Sequence, residues 1–240
     1  MDQLRDAYRN NRLILFVGSG VSANIGLPPW KELIDEIAVQ LDYDPEVFNT
    51  YCNFLALAEY YRIKKGSIGP LRSWMDREWH RNIEIRDSEI HRLIVHGRFP
   101  AIYTTNYDRW LEYAHDAYAV DYIKIANASD LTKARDGVRQ IVKFHGDFDD
   151  DASIVLDETS YYQRLQFETP LDIKLRADTL RRPYFSLAID FPIPISDCCF
   201  TSCRRYGMNT KPWVFGLFPM CSRTNPIRFR RKCCGSGESA

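Results

Sequence analysis

The sequence predicts an α/β protein: a mostly parallel sheet with flanking helices and a helical insertion over about residues 45–97. Three observations lead there. Short apolar runs near residues 12–17, 102–104 and 141–144 read as buried strands. Each run ends in a glycine-rich or polar cluster. Helical periodicity then follows, in the order that parallel α/β units require. The 240 residues suit one domain, or one domain with an appendage, and 45% hydrophobic residues are enough for a core.

Other classes are disfavoured by composition. Thirty-two Lys and Arg balance 32 Asp and Glu, so no polybasic nucleic-acid surface or acidic solvating tail is expected. No apolar run is long enough to predict a membrane span. The opening MDQLRDAYRN is polar and helix-prone rather than a signal peptide, so the expected address is cytoplasmic.

The first strand is RLILFV, followed by GSGVSANIGLPPW and then KELIDEIAVQLDY. In the last segment Leu33, Ile34, Ile37, Ala38 and Leu41 recur at helical spacing. Strand, glycine turn and helix together form the opening of a Rossmann-like nucleotide-binding unit. Gly18 and Gly20 can take positive φ and let the backbone approach a pyrophosphate, with Ser19 and Ser22 as hydroxyl donors. Ala23 stands where the third glycine of G-x-G-x-x-G belongs, so a plain strand-to-helix turn is an equal reading.

The middle of the chain reads as helical in NFLALAEYYRIKK and PLRSWMDREWHRN. Tyr60, Tyr61, Trp74 and Trp79 are expected in the core. His80, His91 and His96 are expected as core or surface residues, because no acid completes a metal set around them.

The second strand covers Ile102, Tyr103 and Thr104, with Asn106 and Asp108 at its carboxyl end and a helix from about Arg109. Ligands of open α/β sheets bind at such ends, although Asn or Asp before a helix is also ordinary N-cap chemistry. The third strand holds Ile141, Val142 and Phe144 and runs into His145-Gly146-Asp147, with a helix starting near Asp157. In a parallel sheet these tips converge on one crevice.

GSGVSANIGLP, TTNYD and KFHGD, in that order, resemble the motifs of the SIR2 (sirtuin) family across about residues 12–165. The GLPPWKEL continuation and the TTNYD variant are most similar to the SIR2-like NAD hydrolases of bacterial anti-phage defence. The resemblance implies NAD+ as substrate, with Gly18, Ser19, Gly20, Val21 and Ser22 lining its pyrophosphate and adenosine side. It implies that Asn106 and Asp108 hold the nicotinamide ribose, and that His145 is a general base or a ribose-orienting residue. His145 and Asn106 are therefore the expected catalytic residues, and no metal is expected.

Departures from the family narrow the chemistry. Thr105 replaces a Gln, Pro29 and Trp30 stand where deacylases carry an Arg, and the two C-x2-C pairs of the deacylase zinc module are missing after KFHGD. Simple hydrolysis of the nicotinamide–ribose bond is thus favoured over acyl-lysine deacylation. An NAD- or ADP-ribose-binding module without turnover and an inactive interaction remnant stay open. A homo-oligomer or a defence-system partner is an expectation of the same resemblance.

A seam divides the chain near residue 180. Residues 1–180 carry one cysteine, Cys52, whereas 181–240 carry six: Cys198, Cys199, Cys203, Cys221, Cys233 and Cys234. The last 60 residues hold ten Lys or Arg against three acids. Their cysteine spacing fits no zinc pattern, and without a secretion signal a disulfide framework lacks its compartment. Residues 1–180 are therefore expected as a C-terminally incomplete NAD-binding domain, and 181–240 as an atypical Cys-, Arg- and Pro-rich tail that is not a folded domain. The genetic code offers a reason. Shifting the frame from Leu187 onward permits GYRFSD and then IRLL, the family segment missing from the written tail. A one-base deletion near codons 180–183 accounts for the cysteines, the basic shift and the lost periodicity together. It also brings the chain's own turnover into question.

Overall fold

The computed structural model describes residues 2–50, 53–166, 168–188 and 213–215. Six strands form one sheet: β1 (Ile14–Val17), β2 (Ala101–Thr104), β3 (Tyr122–Ile125), β4 (Arg139–Lys143), β5 (Tyr184–Leu187) and β6 (Trp213–Phe215), in the spatial order β3-β4-β2-β1-β5-β6. Every neighbouring pair is parallel. The expectation of a mostly parallel sheet is met, and all six carboxyl ends share one edge.

Alternation along the strands sorts side chains to two faces. Ile14, Tyr103 and Val142 pack with Leu171 and Leu175 of α10 (Pro170–Arg181). Leu15, Val17, Ile102 and Ile141 pack on the other face with Ile94 of α7 (Glu89–His96) and Leu111 of α8 (Trp110–Ala117). The result is a three-layer α/β/α sandwich. The remaining described helices are α1 (Asp2–Arg9), α2 (Ser19–Ala23), α3 (Trp30–Gln40), α4 (Pro45–Asn49), α5 (Phe54–Lys65), α6 (Gly69–Glu78) and α9 (Glu158–Leu165).

The helical insertion is present as α4 to α7. Its helices begin where the sequence offers caps. Asn53 accepts from Ala56 N–H before α5, and Ser88 accepts from His91 N–H before α7. Gly66 closes α5 in the left-handed conformation. Leu33, Ile37, Tyr61, Leu71 and Met75 form a second core that also takes in Tyr107, Phe148, Ile154 and Leu156. These last four follow β2 and β4, so the insertion is seated against the carboxyl edge of the sheet. Tyr61 is fully buried, and Tyr60, Trp74 and Trp79 pack partly buried against the same cluster.

Two features differ from expectation. The third predicted strand is Arg139–Lys143, so Phe144 lies one residue past it. Tyr184–Leu187, where the sequence predicts no strand, pairs with β1 along its whole length. Two pieces of the segment beyond residue 180, β5 and β6, therefore belong to the sheet. Cys52, Cys198, Cys199, Cys203, Cys221, Cys233 and Cys234 lie outside the described residues. Among the described residues no helix is long and apolar enough to cross a membrane.

Candidate active site

The sheet order reverses around β1, which lies between β2 and β5 although β5 comes last of the three in the chain. That is the topological switch point at which open α/β sheets bind ligands. Register sets the heights of the tips. Val17 is level with Thr104 and Leu187, and Thr104 is level with Lys143. Asn106 and His145 each lie two residues past these paired ends.

The first and second tips are joined by a buried hydrogen-bonded cluster. Asn106 Nδ2 donates to the Gly18 carbonyl (3.1 Å) and to Ser22 Oγ (2.9 Å). Ser22 Oγ donates to Asp108 Oδ2 at 2.7 Å, and Asp108 Oδ1 accepts from Trp110 N–H at 3.1 Å. The Asn106 backbone N–H donates to Thr104 Oγ1 at 3.0 Å. Ser22, Asn106 and Asp108 are all buried. Asp108 precedes Arg109, the N-cap residue of α8, and its carboxylate serves both the first helical N–H, that of Trp110, and the cluster. Both Nδ2 protons of Asn106 are committed, which leaves Oδ1 as the amide's remaining polar atom.

The glycine turn works differently from the sequence expectation. Neither Gly18 nor Gly20 is among the positive-φ residues; Gly18 is extended at φ −108°. Gly18 N–H donates to the Leu187 carbonyl and Gly20 N–H to the Ala188 carbonyl, both at 3.0 Å. A Cβ on Gly20 would lie 2.9 Å from Ala188 Cβ and 3.0 Å from its carbonyl oxygen. Glycine is needed here for close packing on the end of β5. Val21 points its side chain into the sheet core, whereas Ser19 is exposed. Ser22, expected as a hydroxyl donor, spends that proton on Asp108.

His145 is buried, with Nε2 lacking a hydrogen-bond partner among the described residues. Burial, reinforced by the Arg164 guanidinium, pulls its pKa down to about 3, so the imidazole is neutral at physiological pH. Tyr161 of α9 meets it edge-on, with ring centroids 5.9 Å apart. Arg164 stands 4.6 Å above the Phe144 ring and pairs with Asp172 at 3.3 Å. Gly146 adopts φ +92°. The following Asp147 is buried and pairs with Lys124 at 2.5 Å. His145 makes no described hydrogen bond to Asn106 or Asp108; the parallel pairing of β2 with β4 puts both tips on one edge of the sheet.

Sequence reasoning missed Lys143. It is fully buried, and its ammonium donates to the Tyr107 carbonyl at 3.1 Å and to the Asp108 carbonyl. Its carboxylate partner is Glu112 Oε1 at 3.3 Å. No grouping of His, Cys, Asp and Glu that could hold a metal occurs among the described residues. Of the three histidines of the insertion, His91 is buried against Ser88 Oγ (2.7 Å), His80 Nε2 accepts from Arg109 N–H (3.0 Å), and His96 is exposed.

Residues 100–187 match the family model described as a SIR2-like domain. The chain is similar to NAD(+) hydrolase ThsA of Enterococcus faecium, 28% identical over 194 residues that cover 79% of this chain and 39% of that protein. It is similar to NAD(+) hydrolase ThsA of Acinetobacter baumannii, 25% identical over 94% of this chain and 46% of the relative. It also resembles Defense-associated sirtuin 2 of Bacillus subtilis, 26% identical over 61% of this chain and 14% of that protein. The chain spans less than half the length of these curated relatives.

Proposed function

We propose, taking the SIR2-like domain as premise, that this chain binds NAD+ at the switch point and hydrolyses its nicotinamide–ribose bond as the effector module of a defence protein. The observation that carries the reading is the buried Gly18–Ser22–Asn106–Asp108 cluster at the carboxyl edge, beside the tip of β4 that leads into His145. The names of the relatives, NAD(+) hydrolases, point to the same substrate.

The chemistry asks little of acid catalysis. Water adds to C1′ of the ribose as the C1′–N bond breaks; nicotinamide leaves neutral, and one proton is released with ADP-ribose. The transition state is oxocarbenium-like, so holding the ribose and placing the water are the main tasks. Asn106 Oδ1 suits orienting a water or a ribose hydroxyl. The neutral imidazole of His145 suits accepting a hydrogen bond or proton from a hydroxyl. The exposed Ser19 lines the pyrophosphate side, while Gly18 and Gly20, whose N–H groups are bonded to Leu187 and Ala188, support that wall from behind together with Val21 and Ser22. A cytoplasmic address and assembly as a homo-oligomer or with a defence-system partner belong to the same proposal.

The test follows NAD+ incubated with the purified chain. Equimolar nicotinamide and ADP-ribose are expected. A thermal shift with NAD+ but no nicotinamide would favour a binding module, and nicotinamide release only with an acylated peptide would favour a deacylase. A one-base deletion near codons 180–183 is a separate proposal, checked by the gene sequence across about codons 170–240.

A further inference from the structure

Lys143 ends β4, two residues before His145, and has no exposed surface. A lysine ammonium has three protons to donate and is costly to desolvate. Here its partners are the main-chain carbonyls of Tyr107 and Asp108, and the Glu112 carboxylate on α8. Those two carbonyls belong to the loop that displays Asn106 and Asp108. Glu112 is buried too, and its carboxylate oxygens make no other described hydrogen bond. A buried ion pair is weak as a source of stability, since well-packed apolar residues of similar volume do as well or better. The arrangement is better accounted for by what the ammonium holds. It spans from the histidine tip to the asparagine tip and fastens the latter by its backbone.

We propose that Lys143 is a positioning residue: paired with Glu112, it clamps the Tyr107 and Asp108 carbonyls and thereby fixes Asn106 and Asp108 relative to the tip bearing His145. The proposal rests on the hydrolase reading above and deepens it. It separates two roles that a buried charge can have. If the pair is only structural, removing both charges repairs whatever removing one breaks. If Lys143 positions the loop, removing both repairs the fold but not the site.

Three proteins decide it: wild type, Lys143→Met, and Lys143→Met combined with Glu112→Leu. Each is measured for urea midpoint, for kcat and KM with NAD+, and for amide hydrogen exchange over residues 105–109. The single variant is expected to lose stability, because Glu112 is left buried and unpaired. The paired variant is expected to regain most of that loss. Its kcat/KM should nevertheless stay roughly tenfold or more below wild type, and its 105–109 amides should exchange roughly tenfold faster. Wild-type kcat/KM with wild-type protection in the paired variant would overturn the proposal. Should wild type itself fail to turn over NAD+, the hydrolase reading fails and the exchange rates alone decide Lys143: faster exchange supports the clamp, unchanged exchange refutes it. If the paired variant does not fold, Lys143→Met combined with Glu112→Gln is measured the same way, and wild-type loop protection there overturns the clamp, because Met has no N–H to donate.

Discussion

Gly146→Ala is the substitution for which the structure makes the sharpest demand. Gly146 has φ +92°, where an L side chain costs about 1–2 kcal/mol. An added Cβ would also lie 2.2 Å from Ser153 O, 2.4 Å from Ser153 C and 2.7 Å from Ile154 N. All three are backbone atoms, and the loop that carries them cannot drift freely. Val155 N–H donates to the His145 carbonyl at 2.9 Å, and Asp147 N–H donates to Ser153 Oγ at 3.0 Å. Forcing atoms into a packed site costs about 1–3 kcal/mol, so the total should be about 3 kcal/mol. Gly66→Ala is the internal control, because Gly66 has φ +73° with nothing within 4 Å of a built Cβ. It should cost about 1 kcal/mol, the conformational part alone. Urea unfolding of the two variants measures the difference directly, about 2 kcal/mol. Agreement of the two within about 0.5 kcal/mol would refute the claim that the His145 tip is held against the residues 153–154 backbone.

Ser22→Ala removes the hydroxyl that joins Asn106 Nδ2 to Asp108 Oδ2. Leaving a buried carboxylate oxygen without that donor should cost about 1–3 kcal/mol, with a fall in NAD+ turnover; a variant of wild-type stability and rate would contradict the cluster. Acid should destabilise the fold through three buried histidines. Burial lowers His91 and His115 to about 4 and His145 to about 3. Their folded pKa values lie below the unfolded value of about 6.5, so this stability is complete above roughly pH 6.5 and lost as pH falls toward 4 and 3. Each adds up to about 1.4 kcal/mol per pH unit within that window, while Glu112, raised by burial, works in the opposite direction. A urea midpoint unchanged between roughly pH 7 and pH 5 would contradict these burials.

What could be read from the sequence follows from how local each signal is. β1, β2 and β4 are apolar runs flanked by polar motifs, and they were legible because both of their faces are covered. β3 was not, because Tyr122, Ile123 and Lys124 are only half-buried and the strand pairs on one side with β4. The start of α9 near Asp157 was legible, but the capping boxes that open α9 and α10, Asp157 with Ser160 and Thr169 with Asp172, depart from the Ser/Thr-x-x-Glu/Gln pattern and show only in the structure. The short helix α2 hid inside a glycine-rich stretch whose propensity is low. The site residues Asn106, Asp108 and His145 were visible because motif order and strand ends coincide. The use of Ser22 was not, since its partner Asp108 is 86 residues away. Lys143 gave no signal either: nothing local marks a lysine for burial when its counter-charge comes from another helix. The role of Gly20 was misread for the same reason, because the neighbour it must approach closely, Ala188, is remote in the sequence.

Asn106 ties the asparagine tip to the glycine turn and is the residue on which the site depends most directly. Nicotinamide release from NAD+ should be measured for wild type and for Asn106→Ala at matched, verified folding. Wild type should release nicotinamide, and the variant should lose roughly a hundredfold or more of that rate. A folded Asn106→Ala protein that releases nicotinamide at the wild-type rate would contradict that dependence.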